Sequence, residues 1–150
     1  MNIWLLLITA CSTFALDRVT KYWAFNALSH ESITVFPGFN FILSWNKGVS
    51  WNFLTPDTTL GFWLLTGFIV ALITGLAVMF FKHVQQKMAS IFETMLLAGA
   101  LSNLFDRFYY GAVLDFIQWH VKDWYWPTFN VADAAIVCGV VGIVLKNWRE

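Results

Sequence analysis

The stretch LGFWLLTGFIVALITGLAVMFF, residues 60–81, contains 22 residues and no charged side chain. A helix needs about 20 consecutive apolar residues to cross a hydrocarbon core of about 30 Å, so this stretch predicts a transmembrane helix. Of all 150 residues, 59% are hydrophobic and only 12% are charged. This composition is typical of integral membrane proteins and lies outside the range of soluble domains.

Three other apolar stretches flank the first, and they predict further spans at about 3–23, 88–107 and 130–148. The polar cluster KHVQQK, residues 82–87, predicts a tight loop between the second and third spans. Four spans occupy most of the chain, so we expect one membrane domain over residues 1–150 with both termini on one side.

The first apolar stretch admits a second interpretation, as a cleaved signal peptide. Residues 8–11, ITAC, resemble a degraded cleavage box. The basic segment that begins a signal peptide is missing, however, and the apolar run before the box is short. A membrane span is therefore the preferred interpretation.

The two longer connections have different patterns. Residues 33–51 alternate apolar and polar side chains around Pro37-Gly38, which predicts strands joined by a turn. Residues 111–129 are too short and interrupted to span, and they are rich in the aromatic types found at membrane interfaces. With four spans, both connections lie on one side of the bilayer, where they predict a polar cap.

Charge excludes one class of function and leaves the orientation open. Nine Lys and Arg balance nine Asp and Glu, which excludes the basic footprint of nucleic-acid binding. Lys and Arg divide four to five between the loop side and the cap side, so the positive-inside rule does not decide. Two lysines within the six-residue loop favour a cytoplasmic loop.

Acidic residues within apolar sequence require an explanation, because a charge near lipid is costly unless paired or hydrated. Asp115 is enclosed in VLDFI, residues 113–117, and its structural alternative is a buried salt bridge to Arg107. Asp133 follows Asn130 by three residues, so it could equally complete a helix N-cap. Asp17 and Lys21 have the spacing of an ion pair on one helix face.

Other catalytic motifs do not compete with these carboxylates. The sequence contains no Gly-x-Ser-x-Gly, His-Glu-x-x-His or phosphate-binding loop, and its three histidines are scattered. Asn103 and Arg107 lie one helical turn apart, and such a polar stripe could tie helices together or bind a substrate backbone.

Five blocks resemble, in order and spacing, those of bacterial lipoprotein signal peptidases, the signal peptidase II family: DRVTK (17–21), NKGVSW (46–51), NLFDR (103–107), VLDFI (113–117) and FNVAD (129–133). The resemblance covers nearly the whole chain. It implies a mainly α integral membrane fold with four transmembrane helices, a small extracytoplasmic β-cradle after the first, and a surface helical segment before the last. Glycines that often precede the third block are replaced here by Ala98 and Ser102.

The resemblance also implies roles for individual residues. Asp115 and Asp133 would be the catalytic pair. The substrate would be bound by Asn46, Asn103, Arg107 and Asn130, with structural support from Asp17, Lys21, Gly48 and Asp106.

The implied activity is that of an aspartic endopeptidase, which cuts the signal peptide of a prolipoprotein just before a diacylglyceryl-modified cysteine. Two carboxylates that share a site also share a proton, so one acts as base and the other as acid. We expect no cofactor and no metal ion, and membrane lipid as the other partner. The implied location is the bacterial inner membrane, with several spans and the active site on the periplasmic side.

Two other functions explain buried acids. A small proton-coupled transporter or channel subunit would use Asp17, Asp115 and Asp133 as a relay, although it gives no role to the polar cap. A non-catalytic assembly subunit would use them as pairs between helices. Only the peptidase predicts cleavage of a prolipoprotein.

Overall fold

A computed structural model describes residues 2–48 and 58–148. Among the described residues, four long helices overlap the four predicted spans, and four strands lie in the connections between the first two and between the last two helices. The helices are α1 (Ile3–Ala27), α2 (Thr59–Gln85), α3 (Ile91–Tyr110) and α4 (Val131–Trp148). The strands are β1 (Ile33–Phe36), β2 (Phe39–Asn46), β3 (Val113–Val121) and β4 (Trp124–Tyr125). Positions 49–51, the end of the NKGVSW block and of the predicted strand region, lie outside the described residues.

Three of the helices, α1, α2 and α4, are long and apolar enough to cross a membrane. The fourth, α3, has 20 residues and carries the charges of Glu93, Asp106 and Arg107. It contacts all three other helices, and these three charged side chains are buried by the packing. The predicted mainly α membrane fold is confirmed, with the most polar helix at its centre.

Close packing of α3 against α4 brings the polar end of α3 to the start of α4. A Cβ atom added at Gly99 would lie 2.6 Å from the carbonyl oxygen of Ala132, and one at Gly139 would lie 2.7 Å from that of Phe92. Real Cβ atoms do not approach backbone that closely, so both positions require glycine. Small residues let membrane helices approach in this way.

The strands form one antiparallel sheet in the order β1-β2-β3-β4. Pro37-Gly38 makes the turn between β1 and β2, and Gly38 has a φ of 97°, which glycine adopts without strain. The strands predicted within residues 33–46 are therefore confirmed. In the register of β2 with β3, Ser44 lies opposite Asp115.

The prediction of a surface helical segment between the last two spans is wrong. Residues 113–121 form β3, whose backbone pairs with β2, and β4 then pairs with the end of β3. Residues 113–116 are buried, with Leu114 and Phe116 in a core that includes Ala24 of α1. A short apolar run buried on both faces lacks the alternation that identifies a strand, so the pattern did not distinguish helix from strand.

Candidate active site

The two candidate aspartates come from different elements that meet at the sheet end of the helices. Asp115 lies on β3, and Asp133 lies in the first turn of α4. β3 follows α3 closely, since α3 ends at Tyr110 and its C-cap, Gly111, has the left-handed φ of 69° typical of a helix C-terminus. The antiparallel pairing of β3 with β2 then places Asn46 near Asp115.

Asp115 is enclosed, with 2% of its surface exposed. Its Oδ1 accepts a hydrogen bond of 2.6 Å from Nδ2 of Asn130, and its Oδ2 accepts one of 3.1 Å from Nδ2 of Asn46. Both carboxylate oxygens therefore have amide donors, as expected for a buried polar group.

Asp133 has two sets of contacts. Its Oδ2 accepts a hydrogen bond of 3.1 Å from the backbone N–H of Asn130, whose Oδ1 accepts one of 2.8 Å from the backbone N–H of Asp133. This reciprocal pair is a capping arrangement at the start of α4. Its other oxygen, Oδ1, accepts a hydrogen bond of 2.7 Å from Nδ2 of Asn103 on α3. The capping alternative is therefore realised, but it uses only one of the two oxygens.

Asn130 links the two aspartates. It is fully buried, its side chain donates to Asp115, and its backbone N–H donates to Asp133. Its Nδ2 also lies 3.1 Å from Oδ1 of Asn103 and 3.3 Å from the carbonyl oxygen of Leu114. One asparagine thus sets the positions of both carboxylates.

The pKa of Asp115 is raised to about 7. Burial is the main cause, because it disfavours the charged form, and the negative charge of Asp133 adds to it. The hydrogen bonds from Asn46 and Asn130 and the charge of Lys21 act in the opposite direction. At neutral pH the Asp115 carboxyl therefore exchanges readily between its protonated and ionised forms, as a general acid or base requires.

Arg107 is not the ion-pair partner of Asp115. Its guanidinium donates to the backbone carbonyl oxygens of Lys47, at 3.3 Å, and Gly48. The backbone N–H of Gly48 in turn donates to Oδ1 of Asn46 at 3.0 Å. Arg107 therefore holds the chain next to Asn46, and the salt bridge considered for Asp115 is not formed among the described residues.

A cluster of four charges lies behind the site. Lys21 contacts Asp17 and Asp106, each at 2.8 Å, so the predicted pair of Asp17 and Lys21 is formed. Lys21 also donates to Oδ1 of Asn103 at 2.8 Å, which connects the cluster to Asp133. The fourth member is Arg18, which forms ion pairs with both aspartates of the cluster.

Two supporting residues were missed by sequence reasoning. Arg18 is a charged residue within an apolar helix and so needs a partner. No acidic residue lies three or four positions from it in the sequence, so no partner on the same helix face was indicated. Ser102 is fully buried and donates to Oδ2 of Asp17 at 2.7 Å. No sequence signal identified that contact, because it joins two helices 85 residues apart.

Three cavities are each lined by one of the two aspartates. One, of about 370 Å³, lies between α2, α3 and α4 and ends at Asn46, Asn103, Arg107 and Asp133. A second, of about 330 Å³, opens beside Asp115 and Asn46. A third, also of about 370 Å³, runs along the other face of α4 from Asp133 to Cys138. Each of the two aspartates therefore borders a cavity.

No set of three or more His, Cys, Asp and Glu side chains in residues 2–48 and 58–148 is arranged to hold a metal ion. The chemistry available from the described residues is that of two neighbouring carboxylates with amide donors.

Comparisons with known proteins agree on one family. The family model described as Signal peptidase (SPase) II matches residues 9–149. A lipoprotein signal peptidase of Dichelobacter nodosus is 40% identical over 144 residues, which cover 95% of this chain and 91% of the relative. One from Methylorubrum extorquens is 37% identical over 146 residues, covering 95% and 85%.

Solved structures have the same fold. A bacterial membrane enzyme determined by the in meso method at 2.3 Å resolution matches with a TM-score of 0.79 and 23% identity, over 98% of this chain and 89% of that chain. A second such enzyme, at 1.9 Å resolution, matches with a TM-score of 0.72 and 25% identity, over 96% and 92%. The match extends over both the helices and the sheet.

Proposed function

This chain belongs to the signal peptidase II family, and we propose that it cleaves prolipoprotein signal peptides with Asp115 and Asp133 as its catalytic pair. The observation that carries the assignment is the position of Asn130, which donates hydrogen bonds to both carboxylates. Asp115 and Asp133 come from different elements, yet they share this one buried partner, and each lines at least one cavity.

The proposed chemistry needs one protonated and one ionised carboxyl. The ionised carboxylate takes a proton from a water molecule while the water oxygen attacks the scissile carbonyl carbon. The protonated carboxyl gives its proton to the carbonyl oxygen, which yields a neutral tetrahedral diol. The C–N bond then breaks as the carboxyl that took the water proton gives it to the nitrogen, while the other carboxylate takes a proton from a diol hydroxyl, and the products are a carboxylic acid and an amine. The pair regains its single proton, and no acyl-enzyme forms.

The asparagines around Asp115 and Asp133 fix the orientation of both carboxyl groups. Nδ2 of Asn46 and Nδ2 of Asn130 donate to the two oxygens of Asp115, while Asn103 donates to Asp133. Such fixed donors orient the carboxyl groups before substrate binds, and this lowers the cost of reorganisation during the reaction. Asn103 and Arg107 also line the cavity between α2, α3 and α4, where they can contact the substrate backbone.

The proposed position for the part of the diacylglyceryl group nearest the substrate cysteine is the cavity between α2, α3 and α4. Its walls are apolar, with Ile69, Leu72 and Ile136 among them, and its far end reaches Asp133. Acyl chains can lie against those walls while the adjoining peptide bond lies at the carboxylates. Membrane lipid would occupy the same space before substrate enters.

In the proposed topology the whole chain is one domain of four spans in the bacterial inner membrane. The loop between α2 and α3 faces the cytoplasm, and the sheet and both aspartates lie on the periplasmic side. This arrangement is supported by Lys82 in the last turn of α2, by Lys87 in that loop, and by the exposed aromatic side chains on the sheet, Trp119, Trp124 and Tyr125. A lipid-modified substrate would then reach the site from the outer leaflet.

The transporter alternative has no support from the relatives, which are named as peptidases. The assembly-subunit alternative makes a different experimental prediction, since it requires no turnover.

The test is incubation of the purified protein with a prolipoprotein in two forms, one carrying the diacylglyceryl cysteine and one unmodified. We expect mass spectrometry to find cleavage just before the cysteine in the modified form only. Asp115→Asn provides the inactive control. Equal cleavage of both forms would contradict the lipid requirement, and cleavage of neither by a folded protein would contradict the peptidase assignment.

A further inference from the structure

We propose that Arg18 is a positioning residue that sets the spacing between the two catalytic aspartates. This inference rests on the proposed function for its kinetic consequence, but its structural part does not depend on it. Arg18 lies on α1, in contact with neither Asp115 nor Asp133, and it acts through two other carboxylates.

Each of those carboxylates holds the backbone just before one catalytic residue. Oδ1 of Asp17 accepts a hydrogen bond of 2.8 Å from the backbone N–H of Ala132, the residue before Asp133. Oδ2 of Asp106 accepts one of 3.3 Å from the backbone N–H of Leu114, the residue before Asp115. The separation of the Asp17 and Asp106 carboxylates therefore sets the separation of the backbone at Ala132 and Leu114, which lie next to the two catalytic aspartates.

Arg18 spans that distance. Its Nη2 lies 2.9 Å from Oδ2 of Asp17, and its Nη1 lies 2.6 Å from Oδ1 of Asp106. The guanidinium is planar and its two donors have a fixed separation, so it holds two carboxylates in a defined geometry. Lys21 also contacts both, but its ammonium is a point charge without that directional constraint.

The surroundings of Arg18 suit a rigid spacer. Its guanidinium carbon lies 5.8 Å and 5.2 Å from the ring centres of Phe14 and Phe105, which flank it. Its buried Nε has no hydrogen-bond partner among the described residues, so the side-chain hydrogen bonds go to the two carboxylates.

The charge balance of the cluster also depends on Arg18. Two aspartates and two cations give no net charge, whereas loss of Arg18 leaves two buried carboxylates with Lys21 alone. Like charges in a buried site repel, so Asp17 and Asp106 would move apart or one would become protonated. Either change releases Leu114 or Ala132 from its present position.

Two substitutions separate geometry from charge. Arg18→Lys keeps the positive charge but removes the two fixed donors of the guanidinium. Arg18→Gln removes both the charge and those donors. Because a misplacement of about 1 Å can cost on the order of 10²-fold in rate, we expect kcat to fall roughly tenfold in the first and roughly 10²-fold in the second. KM should change by less than about threefold, since Arg18 does not contact the substrate. The matched control is Asn26→Ala on the same helix, whose side chain donates, as far as the described residues show, to the carbonyl oxygen of Tyr22 alone.

Backbone hydrogen exchange provides the readout that is independent of activity. We expect the amides of Leu114 and Ala132 to exchange faster in both Arg18 variants and to be unchanged in the Asn26 control. Unchanged exchange at both amides in folded Arg18→Lys would overturn the proposal, as would a parental kcat in both variants. A lower melting temperature with unaltered kcat and exchange would also overturn it. Turnover by Asp115→Asn or Asp133→Asn in the same assay would instead count against the catalytic pair and leave the exchange result to decide the role of Arg18.

Discussion

Substitution of Asn130 by serine should shift the pH dependence of cleavage without destroying the site. The serine hydroxyl oxygen can accept the hydrogen bond from the backbone N–H of Asp133 in place of Oδ1 of Asn130. The backbone N–H of residue 130 is unchanged and still donates to Oδ2 of Asp133. What the variant loses is the amide that donates to Oδ1 of Asp115 at 2.6 Å. The start of α4 should therefore persist while Asp115 loses its shorter hydrogen bond.

The size and direction of the shift follow from that bond. The parental pKa of Asp115 is about 7, and the Asn130 hydrogen bond lowers it by stabilising the charged form. Its removal therefore raises the pKa. A hydrogen bond to a charged group is worth about 1.5–3 kcal/mol, and 1.36 kcal/mol corresponds to one pKa unit. The pKa of Asp115 should thus rise by roughly one to two.

The assay is the initial rate of cleavage of a lipid-modified peptide in detergent, measured across the acidic and alkaline range. The parent should give a bell-shaped profile, because the pair works only with a single shared proton, and its rate should fall above about pH 7. In Asn130→Ser the alkaline limb should move up by roughly one to two pH units.

The control is Asn40→Ala, which removes an amide on β2 that donates to Gln118 and, within residues 2–48 and 58–148, to no carboxylate. Its alkaline limb should stay in place. The reasoning is refuted if folded, active Asn130→Ser keeps the parental limb, or if its limb moves to lower pH.

Two other predictions concern packing and topology. Gly99→Ala should lower both the melting temperature and the cleavage rate, because its Cβ would displace the carbonyl of Ala132 next to Asp133. Gly75→Ala is the control and should change neither quantity, since a Cβ added there meets no described atom within 4 Å. Equal effects of the two substitutions would contradict the packing account. In a variant without the native cysteines, an impermeant thiol reagent on intact cells should label a cysteine substituted for Asp123 but not one substituted for Gln85, and the reverse pattern would invert the orientation.

The sequence predicted features whose signal is local. The uncharged stretch at residues 60–81 predicts a membrane span from its own composition, without reference to the rest of the chain. The helix α2 covers this stretch. The alternation around Pro37-Gly38 requires a hairpin. Asp115 stood out because an acid between apolar neighbours is expensive unless it has a partner, and its buried carboxylate does have two amide donors.

What the sequence did not predict depends on contacts between distant elements. The strand at residues 113–121 is determined by pairing with β2, which no local pattern reveals. Local rules predicted only the cap formed by Asn130, because its bond to Asp115 requires β3 to lie beside α4. The role of Arg18 was hidden for the same reason, since Asp106 is 88 residues away.

The most direct test of the catalytic pair is the turnover of Asp115→Asn, Asp133→Asn and the double variant under one set of conditions. Asparagine keeps the shape of each side chain and can still accept the hydrogen bond from the backbone N–H of residue 130, so the start of α4 should survive in Asp133→Asn. General acid–base groups contribute about 10²–10⁴-fold each, and two that act as a unit are not additive. We expect each single variant to lose cleavage and the double variant to be hardly worse. Near-parental turnover by a folded, substrate-binding Asp133→Asn would instead show that Asp133 only caps the helix, and it would contradict the pair.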